Sequence, residues 1–239
     1  MIMRMWLGPA LLAATCLSVP AIALAQQRPS GEVLARELYF EERGPNRRAL
    51  WTADAMIARY PAIFRALRAE GIAAARLGDD CSAQLPCHRT VRHEFSFSGS
   101  RLLSVLVTTD QFLGGAHGAF GVQDAIYDLR TGRRIRFGDL FTSWSRARPL
   151  LQAKICEALR VVRENMEGIQ CPQAGEVAYG LNESGEIPIG GPASGFEVRM
   201  SDYALGSYAA GRENFFIMLD RPLYNLIKPE YRADFQVAD

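Results

Sequence analysis

His117, set in the run GGAHG at positions 114 to 118, is the residue whose surroundings most invite chemistry. Glycine on both sides lets a backbone approach a ligand closely and leaves an imidazole accessible, which suits a proton carrier or a metal ligand. The same glycines, Gly114, Gly115 and Gly118, equally suit a bend or bulge between strands with His117 hydrogen-bonded across it. That structural account is the favoured one, because a working histidine needs a partner and the turn holds none. Asp110 and Asp124 are nearby in sequence, which does not fix where they lie in space.

His93 shares an alternating face with Val91, Phe95 and Phe97, so it reads as a core residue, while His88 reads as a loop residue. Cys87, His88 and His93 lie close together, but their spacing matches no standard zinc site. Neither H-E-x-x-H nor G-x-S-x-G occurs. No catalytic residue, no metal ligand and no cofactor is therefore assigned. Tyr203 and Tyr208, in YALGSYAAG, could present an aromatic surface to sugar or protein. The small residues between them also permit close strand packing with both rings buried, which is the expectation adopted here.

These residues sit in a chain of 239, whose first 25 read as a secretory signal peptide: Arg4, an apolar run, then Ala23, Leu24, Ala25. Cleavage there places the mature protein in the periplasm or outside the cell. The remainder, Gln26 to Asp239, is long enough to bury about 70% of its unfolded surface, and no later apolar run reaches membrane length. Acidic and basic side chains balance after cleavage at 26 each, a poor composition for binding nucleic acid. Cys81, Cys87, Cys156 and Cys171 remain, an even count that suggests disulfides outside the cytoplasm. Three pairings are possible, and proximity favours Cys81 with Cys87 and Cys156 with Cys171, each worth about 2 to 3 kcal/mol.

The apolar pattern predicts one broken helix or two short ones from Thr52 to Leu67, divided at Pro61. Asp79, Asp80 and the first cysteine pair follow as a polar loop. VRHEFSF and LLSVLVTT predict a hairpin of a half-buried strand and an inner strand covered on both faces. AIYDL and RRIRF predict a second hairpin, turning at Thr131 and Gly132. Pro149 and Gly168 bracket a helix with the stripe Leu151, Ile155, Leu159, Val162 and Met166. Glycine- and proline-rich chain from Gly180 to Gly195 leads to the strands FEVRM and FFIML, and a short helix starts at Asp220. Strands adjoin one another more than they alternate with helices, which predicts an α+β fold with a mainly antiparallel sheet, packed helices and disulfide staples.

Four blocks in order, GGAHG at 114 to 118, YDLRTG at 127 to 132, DLF at 139 to 141 and YALGSYAAG at 203 to 211, carry a family resemblance. Residues 95 to 228 resemble the extracytoplasmic domain shared by RsiV-type anti-sigma factors and PdaC-type peptidoglycan deacetylases, and YPAIFRAL at 60 to 67 resembles a helix found upstream of it. The expected division is a signal peptide at 1–25, a helical segment with its disulfide loop at 26–90, and the RsiV/PdaC-like domain at 91–239. The resemblance implies an α+β envelope domain and, in RsiV-type members, lysozyme binding. Only a few residues precede the leader, too few for a sigma-binding segment, and no metal-ligating deacetylase domain follows. The resulting expectation is a non-enzymatic envelope protein that binds lysozyme or a peptidoglycan component, with Gly114, Gly115, His117, Gly118, Tyr203 and Tyr208 as the ligand-binding residues. The alternative is a glycan hydrolase or deacetylase that uses His117.

Overall fold

The structure is a computed structural model that describes residues 36–78, 81, 85–163, 166–182 and 191–237. The leader and the Asp79–Asp80 pair lie outside the described residues. A six-stranded sheet of order β1-β2-β3-β4-β5-β6 forms the middle of the fold. Its strands are β1 (Tyr39–Gly44), β2 (Arg47–Ala53), β3 (Cys87–Ser98), β4 (Leu102–Phe112), β5 (Ala119–Asp128) and β6 (Arg133–Ile135). All neighbours run antiparallel except β2 and β3, which are parallel because helix α1 (Pro61–Ala75) crosses between them. A second, three-stranded antiparallel sheet holds β7 (Ala178–Asn182), β8 (Gly195–Arg199) and β9 (Asn214–Met218). Helices α2 (Trp144–Val162) and α3 (Arg221–Leu226) complete the α+β architecture.

Two cores lie on opposite faces of the large sheet. Beneath α1, Ile63, Phe64 and Leu67 pack with Trp51, Val91, Phe95, Leu103 and Val105. On the other face Phe97, Leu102 and Ile126 meet the small sheet and the α2 stripe of Leu151, Ile155 and Leu159. Glycine sets the approach on both sides. A Cβ at Gly71 of α1 would overlap the indole of Trp51, and one at Gly180 of β7 would overlap the Ser96 hydroxyl. Ser96 and Ser104 then bond to the two backbone groups of Leu181, at 2.8 and 3.1 Å, which satisfies polar atoms inside this layer.

The two predicted hairpins form, with Gly132 at φ 67° in the second. Strand β4 is covered on both faces as its sequence implied, and Asp220 caps α3 by accepting from the Leu223 N–H at 3.1 Å. Both disulfides form between the sequence neighbours, Cys81 with Cys87 and Cys156 with Cys171. They suit a compartment outside the reducing cytoplasm. Gln152 reinforces the second by bonding Pro172 O and Ala174 N, so the chain after α2 folds back on the helix. No helix among the described residues is long and apolar enough to cross a membrane.

Several sequence expectations need correction. Phe97 does not share a face with Val91, His93 and Phe95: the register shifts between Phe95 and Phe97, so a bulge at Ser96 turns Phe97 to the opposite core. Helix α2 begins at Trp144, well before Pro149, and stops at Val162, leaving Val162 exposed and Met166 beyond its end. Pro149 lies on the solvent side, where the carbonyl it leaves unbonded can be hydrated. Gly180 sits inside a strand rather than opening a loop. The segment 26–90 also supplies β1 and β2, so the large sheet runs across position 90.

The turn between β3 and β4 is closed from far along the chain. The buried carboxylate of Asp234 accepts from the backbone N–H of Ser100, Arg101 and Leu102 at 2.6 to 2.8 Å, and from the Ser100 hydroxyl at 2.5 Å. Asp128, in the YDLRTG block, takes the Arg101 guanidinium through both oxygens and the Arg130 N–H at 2.9 Å. Arg101 thereby holds the Asp128 carboxyl below the usual carboxylate range.

Candidate functional site: an exposed histidine and two tyrosines

The loop from Leu113 to Gly118 joins β4 to β5, and Gly114 and Gly115 take φ of 96° and 107°, which a side chain rarely tolerates. The glycines therefore serve the chain reversal, as the sequence reading held. What that reading missed is how the turn is met from the other half of the chain.

After β8 the backbone runs along the free edge of β5. The Asp202 N–H donates to Phe120 O at 3.0 Å, the Phe120 N–H donates to the Asp202 carboxylate at 2.6 Å, and the Val122 N–H donates to Ser201 Oγ at 2.9 Å. This edge is thus covered, and the next residue, Tyr203, turns outward with φ 68°. Gly206, at φ 110°, reverses the chain into a short 3-10 helix, Tyr208–Ala210. Arg163, just after α2, anchors that turn by bonding Ala210 O at 2.6 Å and pairing with Glu213 at 2.7 Å.

These contacts bring His117, Tyr203 and Tyr208 together. The Tyr208 ring stacks on the imidazole with centroids 3.9 Å apart and planes 18° from parallel. The Tyr203 hydroxyl lies 3.2 Å from His117 Nε2, and Nδ1 lies 2.7 Å from Gly118 O. A carbonyl only accepts, so Nδ1 carries the proton and Nε2 accepts from the tyrosine. Both ring nitrogens are engaged, and neither meets a carboxylate among the described residues.

Tyr203 is 52% exposed and Tyr208 43%, so the expectation of buried rings is overturned. The segment between them is a loop beside a sheet edge that buries Leu205 and leaves both tyrosine rings outward. All six proposed ligand-binding residues, Gly114, Gly115, His117, Gly118, Tyr203 and Tyr208, belong to the two loops that make this patch. Beside it runs a groove of about 270 Å³, where Arg212 lies over the Phe120 ring at 3.9 Å and His88 pairs with Asp110 at 3.1 Å. Ser201, Asp202 and Arg212 carried no sequence signal beyond their type, because edge covering depends on which strand the fold leaves open.

The other histidine candidates go elsewhere. His93 is buried, and its Nδ1 accepts from the Trp51 indole at 3.0 Å. Burial, followed by the Arg134 charge, pushes its pKa down to about 4. Cys87 is spent in a disulfide, which removes the thiolate from the zinc alternative. Asp110 serves His88, and Asp124 lines a separate cleft. Among the described residues, no three His, Cys, Asp or Glu side chains come together as a metal set.

A two-sheet α+β fold with an aromatic loop patch is therefore the class of this protein. By structure it is similar to a DUF3298 family protein from Pseudomonas aeruginosa PAO1, with a TM-score of 0.52 and 14% identity over 84% of this chain and 95% of that one. It also aligns with a DUF3298 family member from Bacteroides fragilis, with a TM-score of 0.43 and 17% identity over 69% of this chain and 63% of that one. The first likeness shows a shared fold. No protein-family model matches the chain, and no curated protein matches its sequence.

Proposed function

We propose that this is an exported binding module whose patch of His117, Tyr203 and Tyr208 contacts a wall-degrading lysozyme. The observation that carries the reading is the clustering of these rings in the open, Tyr208 stacked on His117 and Tyr203 bonded to it, with Arg212 in the neighbouring groove. Tyrosine and arginine dominate the energetics of protein interfaces, since rigid rings with polar tips give contact area at low entropic cost. Because His117 and Tyr208 cover one another's faces, the patch offers hydroxyl-tipped edges more than an open platform. The resemblance of its loops to RsiV-type domains supports the choice of lysozyme, and the two disulfides suit the compartment where such an enzyme is met.

Binding to hen-type lysozyme and to purified peptidoglycan, measured side by side by calorimetry and sedimentation, tests the reading. Lysozyme is expected to bind at micromolar concentration and to lose about tenfold or more in affinity with Tyr208→Ala. Retention of peptidoglycan alone would move the ligand to the wall polymer. Release of acetate or sugar from peptidoglycan, abolished by His117→Ala, would replace the binding reading with the hydrolase or deacetylase alternative.

A further inference from the structure

A larger concavity lies away from the patch, beside the end of β5. It is a cleft of about 740 Å³ between β5, the β6 hairpin, the start of α2 and the chain leading into β7. Its apolar wall is aromatic. Phe137 stacks on Tyr179 with centroids 3.8 Å apart, and Trp144 stands edge-on to Phe137 at 6.1 Å. Gly138 fixes the indole: a Cβ there would lie 3.2 Å from the ring, so the half-buried Trp144 rests directly on backbone. The Trp144 N–H has no hydrogen-bond partner among the described residues, in contrast to Trp51, whose N–H is used by His93.

The polar lining is balanced. Asp124 and Asp139 supply two carboxylates, and Arg134 and Arg136 two guanidiniums. Arg136 and Asp139 neutralise each other in a forked pair at 3.0 and 3.1 Å. Arg134 donates to Glu70 at 3.2 Å and to Asp124 O at 2.8 Å, and its charge still acts on the Asp124 carboxyl. The Asp124 carboxylate accepts from the backbone N–H groups of Asp124 and Tyr179 and has no side-chain hydrogen bond among the described residues, and burial pushes its pKa up. A carboxylate offers about four lone-pair sites, so one held by backbone alone can still accept a hydrogen bond from a ligand.

We propose that this cleft is a binding site for a neutral saccharide, with a sugar ring against Trp144 and a hydroxyl or amide of the sugar donating to Asp124. An aromatic wall takes the C–H face of a ring, and an indole N–H beside a carboxylate with lone pairs to spare suits groups that both give and receive hydrogen bonds. Charge sorts the alternatives. Two carboxylates and two guanidiniums line the cleft, so it holds no excess charge to repay an ionic ligand for leaving water, and a neutral polyol has no such cost. The site is independent of the tyrosine patch and does not rest on the lysozyme reading.

Titration of the protein with N,N′-diacetylchitobiose, followed by calorimetry and indole fluorescence, tests the proposal. Trp51 is fully buried and hydrogen-bonded, so Trp144 is the reporter within the fold. Saturable binding with Kd below about 10 mM is expected, weakened about tenfold or more by Asp124→Asn and by Trp144→Ala, and unchanged by Tyr208→Ala. Glucosamine and glucuronic acid, the cationic and anionic comparators, should bind at least about tenfold more weakly. No saturable signal, equal binding by either charged sugar, or wild-type affinity in Asp124→Asn would overturn the proposal. If Trp144→Ala fails to fold by circular dichroism, Asp124→Asn decides, since it preserves side-chain shape at the cleft wall. Loss of chitobiose binding in Tyr208→Ala alone would return the sugar to the patch.

Discussion

Two imidazoles in this molecule accept a hydrogen bond from an aromatic donor, and they could hardly be used more differently. His93 takes the indole N–H of Trp51 at Nδ1 beneath α1, with Gly71 pressed against both rings. His117 takes the hydroxyl of Tyr203 at Nε2 on an open surface. The tautomers are opposite, since each acceptor nitrogen must be the unprotonated one. What separates the pairs is burial: the first cannot charge without disrupting a core, while the second is met by solvent. An aromatic partner for a histidine therefore says little about role until its surroundings are known.

The strongest way to break the buried pair is Gly71→Ala, whose methyl would occupy the indole of Trp51. Overpacking should cost on the order of 3 to 4 kcal/mol in urea unfolding, well above the roughly 1 kcal/mol that alanine gains in a helix. Acid should act next. His93 has its pKa lowered to about 4 in the fold against an ordinary 6.5, so the unfolded chain binds its proton first as pH falls. Its contribution is complete above pH 6.5 and disappears between there and about pH 4, a loss of about 3 kcal/mol. His93→Gln should flatten that part of the stability profile, and an unchanged slope would place the titration elsewhere. The exposed pair sharpens the contrast from below. Tyr208→Ala should cost about 1 kcal/mol or less in thermal unfolding, and Tyr203→Phe less than about 0.5 kcal/mol, although it should change the nitrogen chemical shifts of His117.

The same contrast explains what could be read from the sequence. Alternation and turn residues carried the β3–β4 and β5–β6 hairpins, cysteine proximity carried both disulfides, and Pro222 after Asp220 carried α3. His93 was recognisable as core because its neighbours Val91 and Phe95 alternate with it. Strands β1 and β2 were missed because EERGPNRR is charged, and only Ala49 and Trp51 of β2 are buried. The Ser96 bulge was invisible, since a single extra residue leaves the composition of a strand unchanged. The meeting of His117 with Tyr203 lies 86 positions apart in the chain and depends on Ser201 and Asp202 finding the edge of β5. No local pattern encodes that encounter, although both loops could be singled out by residue type.

The carboxylate of Asp234 serves a turn made 132 to 134 positions earlier. A chain lacking Asp234 would leave the amides of Ser100, Arg101 and Leu102 without the acceptor that closes this corner. The corner of an early hairpin is therefore complete only once a segment 132 to 134 positions further along has docked against it.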